Sequence, residues 1–171
     1  QGSTGAGGAE VMEYVGIPTI SAIMDALDGL AEIDAAGNIQ IILMGGLRDG
    51  VDAVKSLCLG ADAVAFGNAT IVAGGCISCM QCHVGQCVTG IATQDPEHEK
   101  RYRPEIEAHN IHRFLESVRW QIAALTQALG YDEVKSLNRD DLVALTPEAA
   151  AITRLPYRPD LRERQSLVEA V

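Results

Sequence analysis

Ile39-Gln40-Ile41-Ile42-Leu43-Met44-Gly45-Gly46, followed by Gly50 to Leu59, Gly60 and Ala61-Asp62-Ala63-Val64-Ala65-Phe66-Gly67, is the stretch that decides the fold. The first run is continuously apolar and β-branched, as a parallel strand buried on both faces is, and it stops at paired glycines. Val51, Val54, Leu57 and Cys58 then recur at helical spacing, and Gly60 supplies a C-terminal stop. Residues 61–66 form a second short apolar run that again ends in glycine. Strand, helix and strand in this order predict a parallel βαβ unit whose two glycine-terminated strand ends face the same side. The fifth cysteine, Cys58, reads as core packing within that helix.

Upstream, Ile20, Ile23, Met24, Leu27 and Ala31 predict an amphipathic helix with Pro18 at its first position, ended by Gly37-Asn38. Downstream, Ile111, Leu115, Val118, Ile122, Leu125 and Leu129 predict a long amphipathic helix closed by Gly130. Thr146-Pro147-Glu148 has the form of a cap and first turn for a last short helix, and the tail from Pro156 reads as an exposed charged extension.

Glycines at strand ends can let a backbone approach an anion that a Cβ would hold away. In α/β barrels the loops after the last two strands commonly bind a phosphate in this way. Gly45, Gly46, Gly67 and Asn68 are placed for that role, with a helix starting near Ala69. They are equally compatible with ordinary strand-to-helix turns.

Cys76, Cys79, Cys82 and Cys87 follow within twelve residues as C-x2-C-x2-C-x4-C. Four thiolates this close repel one another, so the spacing points to a bound metal or cluster. Structural zinc usually uses two C-x2-C pairs set apart by a longer loop, and sharing Cys79 between two short spacings fits an iron–sulfur cluster better. Disulfides between such near neighbours would be strained. His83 reads as a hydrogen-bond donor near the ligands, Gln94 as either a cap or a substrate contact, and His98, His109 and His112 as solvated. Thiols kept for a metal imply a reducing, cytoplasmic setting.

Of the 171 residues 47% are hydrophobic but only 4% aromatic, and 17 are glycine, a balance that suits tightly turned α/β cores better than β-sandwiches. A net charge of −10 argues against nucleic acid as a partner. No apolar run is long enough to span a membrane. The opening Gln1-Gly2-Ser3-Thr4-Gly5-Ala6 reads like the middle of a loop, so the chain is expected to be part of a larger protein and to aggregate or stay partly unfolded alone, its sheet edges unpaired.

Met44-Gly45-Gly46-Leu47-Arg48-Asp49-Gly50, Leu59-Gly60-Ala61-Asp62, Phe66-Gly67-Asn68-Ala69-Thr70, the cysteine run and Gly90-Ile91-Ala92-Thr93-Gln94 together resemble the FMN-binding synthase domain of the glutamate synthase family. Gly2-Ser3-Thr4-Gly5-Ala6 resembles the glycine loop that precedes these motifs there, and the resemblance covers about residues 1 to 130.

The resemblance implies an α/β fold, the closing part of a (β/α)8 TIM barrel. Residues 1–75 would form its last βα units, 76–94 an iron–sulfur loop and 95–171 a C-terminal helical extension. It implies FMN on Gly45, Gly46, Gly67 and Asn68, and a cluster held by Cys76, Cys79, Cys82 and Cys87. The family's three-iron spacing is kept by Cys76, Cys82 and Cys87, so Cys79 is an added thiolate that would allow a four-iron cluster. Met44, Ser3 and Val88 replace the family's acidic residue, glycine and proline.

The activity implied is that of an oxidoreductase converting 2-oxoglutarate to L-glutamate, electrons passing from cluster to flavin. The implied partners are the remainder of the barrel, ammonia-supplying and electron-donor domains or subunits, and a 2-oxo acid. A related N-methylglutamate synthase, or a non-catalytic iron–sulfur subunit, would carry the same motifs. No catalytic acid or base can be named.

Overall fold

The computed structural model describes residues 8, 11 and 14–161. The opening glycine loop and the end of the charged tail lie outside the described residues. The architecture is mixed α/β with helices dominant. In chain order the elements are α1 (Thr19–Glu32), β1 (Ile42–Met44), α2 (Gly50–Leu59), β2 (Ala63–Ala65), α3 (Asn68–Ala73), α4 (Pro96–Glu99), α5 (Pro104–Ala128) and α6 (Pro147–Thr153). Single 3-10 turns sit at Cys82–Val84, Val134–Ser136 and Arg139–Asp141.

β1 and β2 pair in parallel, with Ile42, Leu43 and Met44 opposite Ala63, Val64 and Ala65, so the predicted strand–helix–strand unit is present. Asp62 closes the entry to the ladder. Its carboxylate accepts from the Ile41 N–H at 2.7 Å while its own N–H donates to the Ile41 carbonyl at 2.9 Å. The strands are shorter than the apolar runs that encode them, and the sheet is covered on one face only. Leu43 is 8% exposed, whereas Ile42 is 67% and Met44 54% exposed. This corrects the expectation of burial on both faces: alternation sends Leu43 toward the helices, and nothing among the described residues covers its neighbours.

Two apolar clusters lie on the helical side. Ile23, Met24, Leu43, Leu59 and Ala61 join α1, β1 and the end of α2. Val54, Cys58 and Leu137 join α2 to the segment after α5, and Leu142 packs against both clusters. Burying a side chain such as Ile23 contributes about 2 kcal/mol. Cys58, 1% exposed, is a core residue as read from the sequence. Ala53 and Ser56, rather than Val51, complete the buried face of α2.

Local sequence explains the helix ends. Asp49 caps α2 by accepting from the Val51 and Asp52 N–H groups, and Gly60 ends it at φ 118°. Thr146 caps α6 through the Ala149 N–H, with Pro147 at the first position. Pro18 takes the cap position of α1, so the helix starts one residue later than predicted, and α1 ends at Glu32, short of Gly37-Asn38. Arg154 forms a bidentate pair with Asp28 that ties α6 to α1. The start of the tail is tied down too: the Ala144 N–H donates to the Pro156 carbonyl and the Arg158 N–H to the Ala144 carbonyl, both at 2.9 Å. No helix among the described residues is long and apolar enough to cross a membrane.

Candidate functional site

Both strands end in glycine, and because they are parallel their ends open on one side. A cavity of about 450 Å³ lies there, lined by Met44, Gly45, Gly46, Leu47 and Arg48 after β1, by Gly67, Asn68, Ala69, Val72 and Ala73 around α3, and by Phe114 of α5. All four residues expected from the sequence to face a phosphate, Gly45, Gly46, Gly67 and Asn68, line this single cavity. Gly45 and Gly46 have φ values of 128° and 73°, a region that side chains rarely adopt. A Cβ on Gly46 or Gly67 would meet no protein atom within 4 Å, so the space beside each is open. The first N–H groups of α3 have no partner inside the helix. An anion with an attached apolar ring system fits such a cradle: polar backbone at one end, Val72 and Phe114 on the wall. Phe114 is held edge-on by Phe66, with ring centroids 5.8 Å apart at 87°.

Arg48 is the sole ionisable side chain lining the cavity among the described residues. Its Nε lies 3.0 Å from Asp52 Oδ2. That guanidinium lowers the Asp52 pKa below the ordinary carboxylate value, against the opposing effect of burial.

The chain leaves α3 through Gly74, whose missing Cβ lets α3 approach Ile111 of α5, and enters the cysteine loop. Cys76, Cys79 and Cys82 are half-buried and Cys87 is buried at 3% exposure. Burial first, then the neighbouring charges of Cys76, Cys87 and Cys79, raises the Cys82 pKa, so Cys82 lies within electrostatic reach of the other three. Ser78 and Met80, on either side of Cys79, adopt φ values of 55° and 58°, a left-handed conformation that costs residues with a Cβ energy. No three His, Cys, Asp or Glu side chains among the described residues stand at metal-binding separation. The donor set fits a thiophilic cluster by its chemistry alone: four free thiols on one loop after α3.

Cys87 has surroundings of its own. Burial pushes its thiol up, but the Thr89 hydroxyl and the main-chain N–H groups of Ala92, Thr89 and Ile91 outweigh this and lower the pKa to about 7. The turn that supplies these groups is held from three directions. Thr93 Oγ1 donates to the Gly85 carbonyl at 2.6 Å. Arg101 Nη1 donates to the Val88 carbonyl at 3.0 Å. Gly90, at φ 83°, lies so close to the next segment that a Cβ would stand 2.5 Å from the His98 carbonyl oxygen.

A family model described as the conserved region in glutamate synthase matches residues 1–132. The chain belongs to the glutamate synthase family. It is 40% identical over 144 residues to an archaeal glutamate synthase [NADPH] of Methanocaldococcus jannaschii, covering 83% of this chain and 28% of that protein. It is 34% identical over 172 residues to a glutamate synthase large subunit-like protein of Rhizobium meliloti, covering 91% of this chain and 39% of that one. A ferredoxin-dependent glutamate synthase of Cyanidium caldarium is 31% identical over 143 residues. The chain thus spans well under half the length of these curated glutamate synthase relatives.

Within this glutamate synthase region, sequence reasoning missed the wall and the clamp. Phe114 was hidden inside the long-helix pattern, and Thr89, Thr93 and Arg101 act on backbone carbonyls or on a sulfur, which no spacing rule flags. Gln94 is not the cap of α4, since Asp95 Oδ1 accepts the Glu97 N–H at 2.9 Å. His83 is exposed, and His109 and His112 are exposed on α5 as expected. His98 departs from that expectation: its Nδ1 is buried with no hydrogen-bond partner among the described residues, 3.7 Å from Asp95 Oδ2.

Proposed function

We propose that this chain is the closing part of an FMN-binding (β/α)8 barrel in a glutamate synthase-type oxidoreductase that aminates 2-oxoglutarate to L-glutamate. Residues 1–75 would supply the last βα units, 76–94 the iron–sulfur loop and 95–171 the helical extension. The observation that carries this reading is the convergence of Gly45, Gly46, Gly67 and Asn68 on one cavity at the C-terminal ends of two parallel strands, with the cysteine loop following α3, the helix that lines it. The open sheet face with Ile42 and Met44 supports it, because inward-pointing side chains of a barrel are covered only by other strands. The names of the relatives support the activity and, through their greater length, partner domains or subunits that supply the rest of the barrel, ammonia and electrons.

In this reading Gly45, Gly46, Gly67 and Asn68 bind the FMN phosphate through main-chain N–H groups, and Arg48 adds a positive charge at the same mouth. Cys76, Cys79, Cys82 and Cys87 hold the cluster, Cys79 giving it a fourth thiolate. Bound there, FMN would supply the hydride that reduces the imine of 2-oxoglutarate and ammonia, and the cluster would supply single electrons. Phe114 and Val72 exclude water from the cavity wall and orient the ring system lying against them.

Gly67→Ala tests the assignment. Its Cβ meets no protein atom, so the variant folds like the parent, yet the methyl group enters the space read as the phosphate's. In the full-length enzyme it should weaken FMN retention about tenfold or more, the worth of one charged hydrogen bond. Unchanged acid-extractable FMN in a variant with parental thermal stability would remove the phosphate assignment.

A further inference from the structure

Building on the reading of residues 76–94 as a cluster loop, we propose that Thr89 is a positioning residue that donates a hydrogen bond to the Cys87 sulfur and thereby raises the reduction potential of the cluster. Thr89 Oγ1 lies 3.3 Å from Cys87 Sγ. Among the described residues, Cys87 is the one loop cysteine with a side-chain hydroxyl on its sulfur, and it is the buried one of the four. With the sulfur buried and Thr89 half-buried, water competes for that bond less than it would at the surface.

The placement of Thr89 is built in from outside the cysteine run. The Gly90 N–H donates to the Cys87 carbonyl at 3.2 Å, closing the turn that swings Thr89 back over the sulfur. The turn cannot drift outward, because Gly90 rests on the His98 carbonyl and Tyr102 N–H, and Arg101 holds the Val88 carbonyl. It cannot drift along the loop, because Thr93 holds the Gly85 carbonyl. These contacts fix the main chain on both sides of Thr89 and spend no group on the cluster itself. The hydroxyl is the part they deliver.

The chemical consequence has a definite sign. When a cluster accepts one electron, part of the added charge falls on its thiolate ligands, so a donor on one sulfur stabilises the reduced state more than the oxidised one. Removing the donor must lower the potential. The main-chain donors of the same turn act in the same direction but cannot be deleted singly, which leaves the Thr89 hydroxyl as the adjustable one.

The test is an electron paramagnetic resonance redox titration of the full-length holoenzyme and its Thr89→Val and Thr89→Ser variants, with the flavin titrated optically in the same samples. Valine keeps the shape and loses the donor; serine keeps the donor. The expected result is that Thr89→Val shifts the oxidised-to-reduced ratio of this cluster about tenfold toward oxidised at a fixed potential, which is about 59 mV for a one-electron couple. Thr89→Ser returns it to the parental value, and flavin potential and content do not move. A cluster in Thr89→Val with the parental potential overturns the proposal and leaves the cluster reading standing. Parental enzyme without iron or acid-labile sulfide at this loop overturns both. If Thr89→Val loads no cluster while Thr89→Ser loads it fully, the requirement for the hydroxyl is upheld. Loss in both variants makes Thr89 a packing residue and refutes the proposal.

Discussion

Asp49 and Asp52 share the start of α2, and at the scale of single residues they do different work. Asp49 satisfies the Val51 and Asp52 N–H groups of the first turn. Asp52 turns back to accept from the Arg48 N–H at 3.2 Å and from its Nε at 3.0 Å, holding the guanidinium at the cavity mouth. Because the Arg48 contact lowers the folded-state pKa of Asp52 below 3.8, its contribution is complete above the unfolded value and is lost as pH falls through the lower folded value. Asp52→Asn is therefore expected to cost about 1 kcal/mol near neutral pH and to flatten the acid limb of stability below about pH 4, as read by thermal melts between pH 3 and 7. A parallel loss of stability in parent and variant across that range would contradict the pairing. Neither the Asp49 cap nor the Arg48–Asp52 pair was drawn from the sequence, although each needs only local geometry.

At the scale of elements, Gly50 explains why α2 and α5 can touch. An added Cβ would stand 2.6 Å from Gln121 Cβ and 2.7 Å from the Val118 carbonyl oxygen, and the Gly50 N–H donates to Gln121 Oε1 at 2.7 Å. Gly50→Ala should push the helices apart at a cost of about 1–3 kcal/mol and move Phe114, one wall of the cavity, with α5. Chemical denaturation of parent and variant measures this, and equal midpoints would refute the close approach. The bounds of α2 were readable from the helical spacing that starts at Val51 and from Gly60, which ends it. The reason for Gly50 was not, because the helix it meets lies about seventy residues away. The same limit explains β1: the apolar run of residues 39–44 announces a strand, but whether Ile42 and Met44 are covered depends on partners that no local pattern encodes. Thr89 and Arg101 escaped notice for a like reason, their partners being a sulfur and a carbonyl rather than matched side chains.

At the scale of the whole molecule, two parallel strands bring glycine ends together, α1 and α2 pack against one face of them with α5 laid on α2 and α3, and the opposite sheet face carries exposed Ile42 and Met44. The glycines that line the cavity were legible because glycine has a narrow physical role, backbone approach, and the cysteine run stood out because clustered thiols have few uses besides ligation. The apolar wall was not legible, since Phe114 follows the same pattern as any core residue. The central claim is that the cavity holds FMN and the cysteine loop an iron–sulfur cluster in one enzyme. The most direct measurement is the anaerobic visible and electron paramagnetic resonance spectrum of the natively purified full-length protein, with flavin, iron and acid-labile sulfide assayed on the same sample and on a Cys87→Ser variant. The account predicts FMN together with an iron–sulfur signal that the variant loses. A colourless protein carrying zinc and no flavin would contradict it.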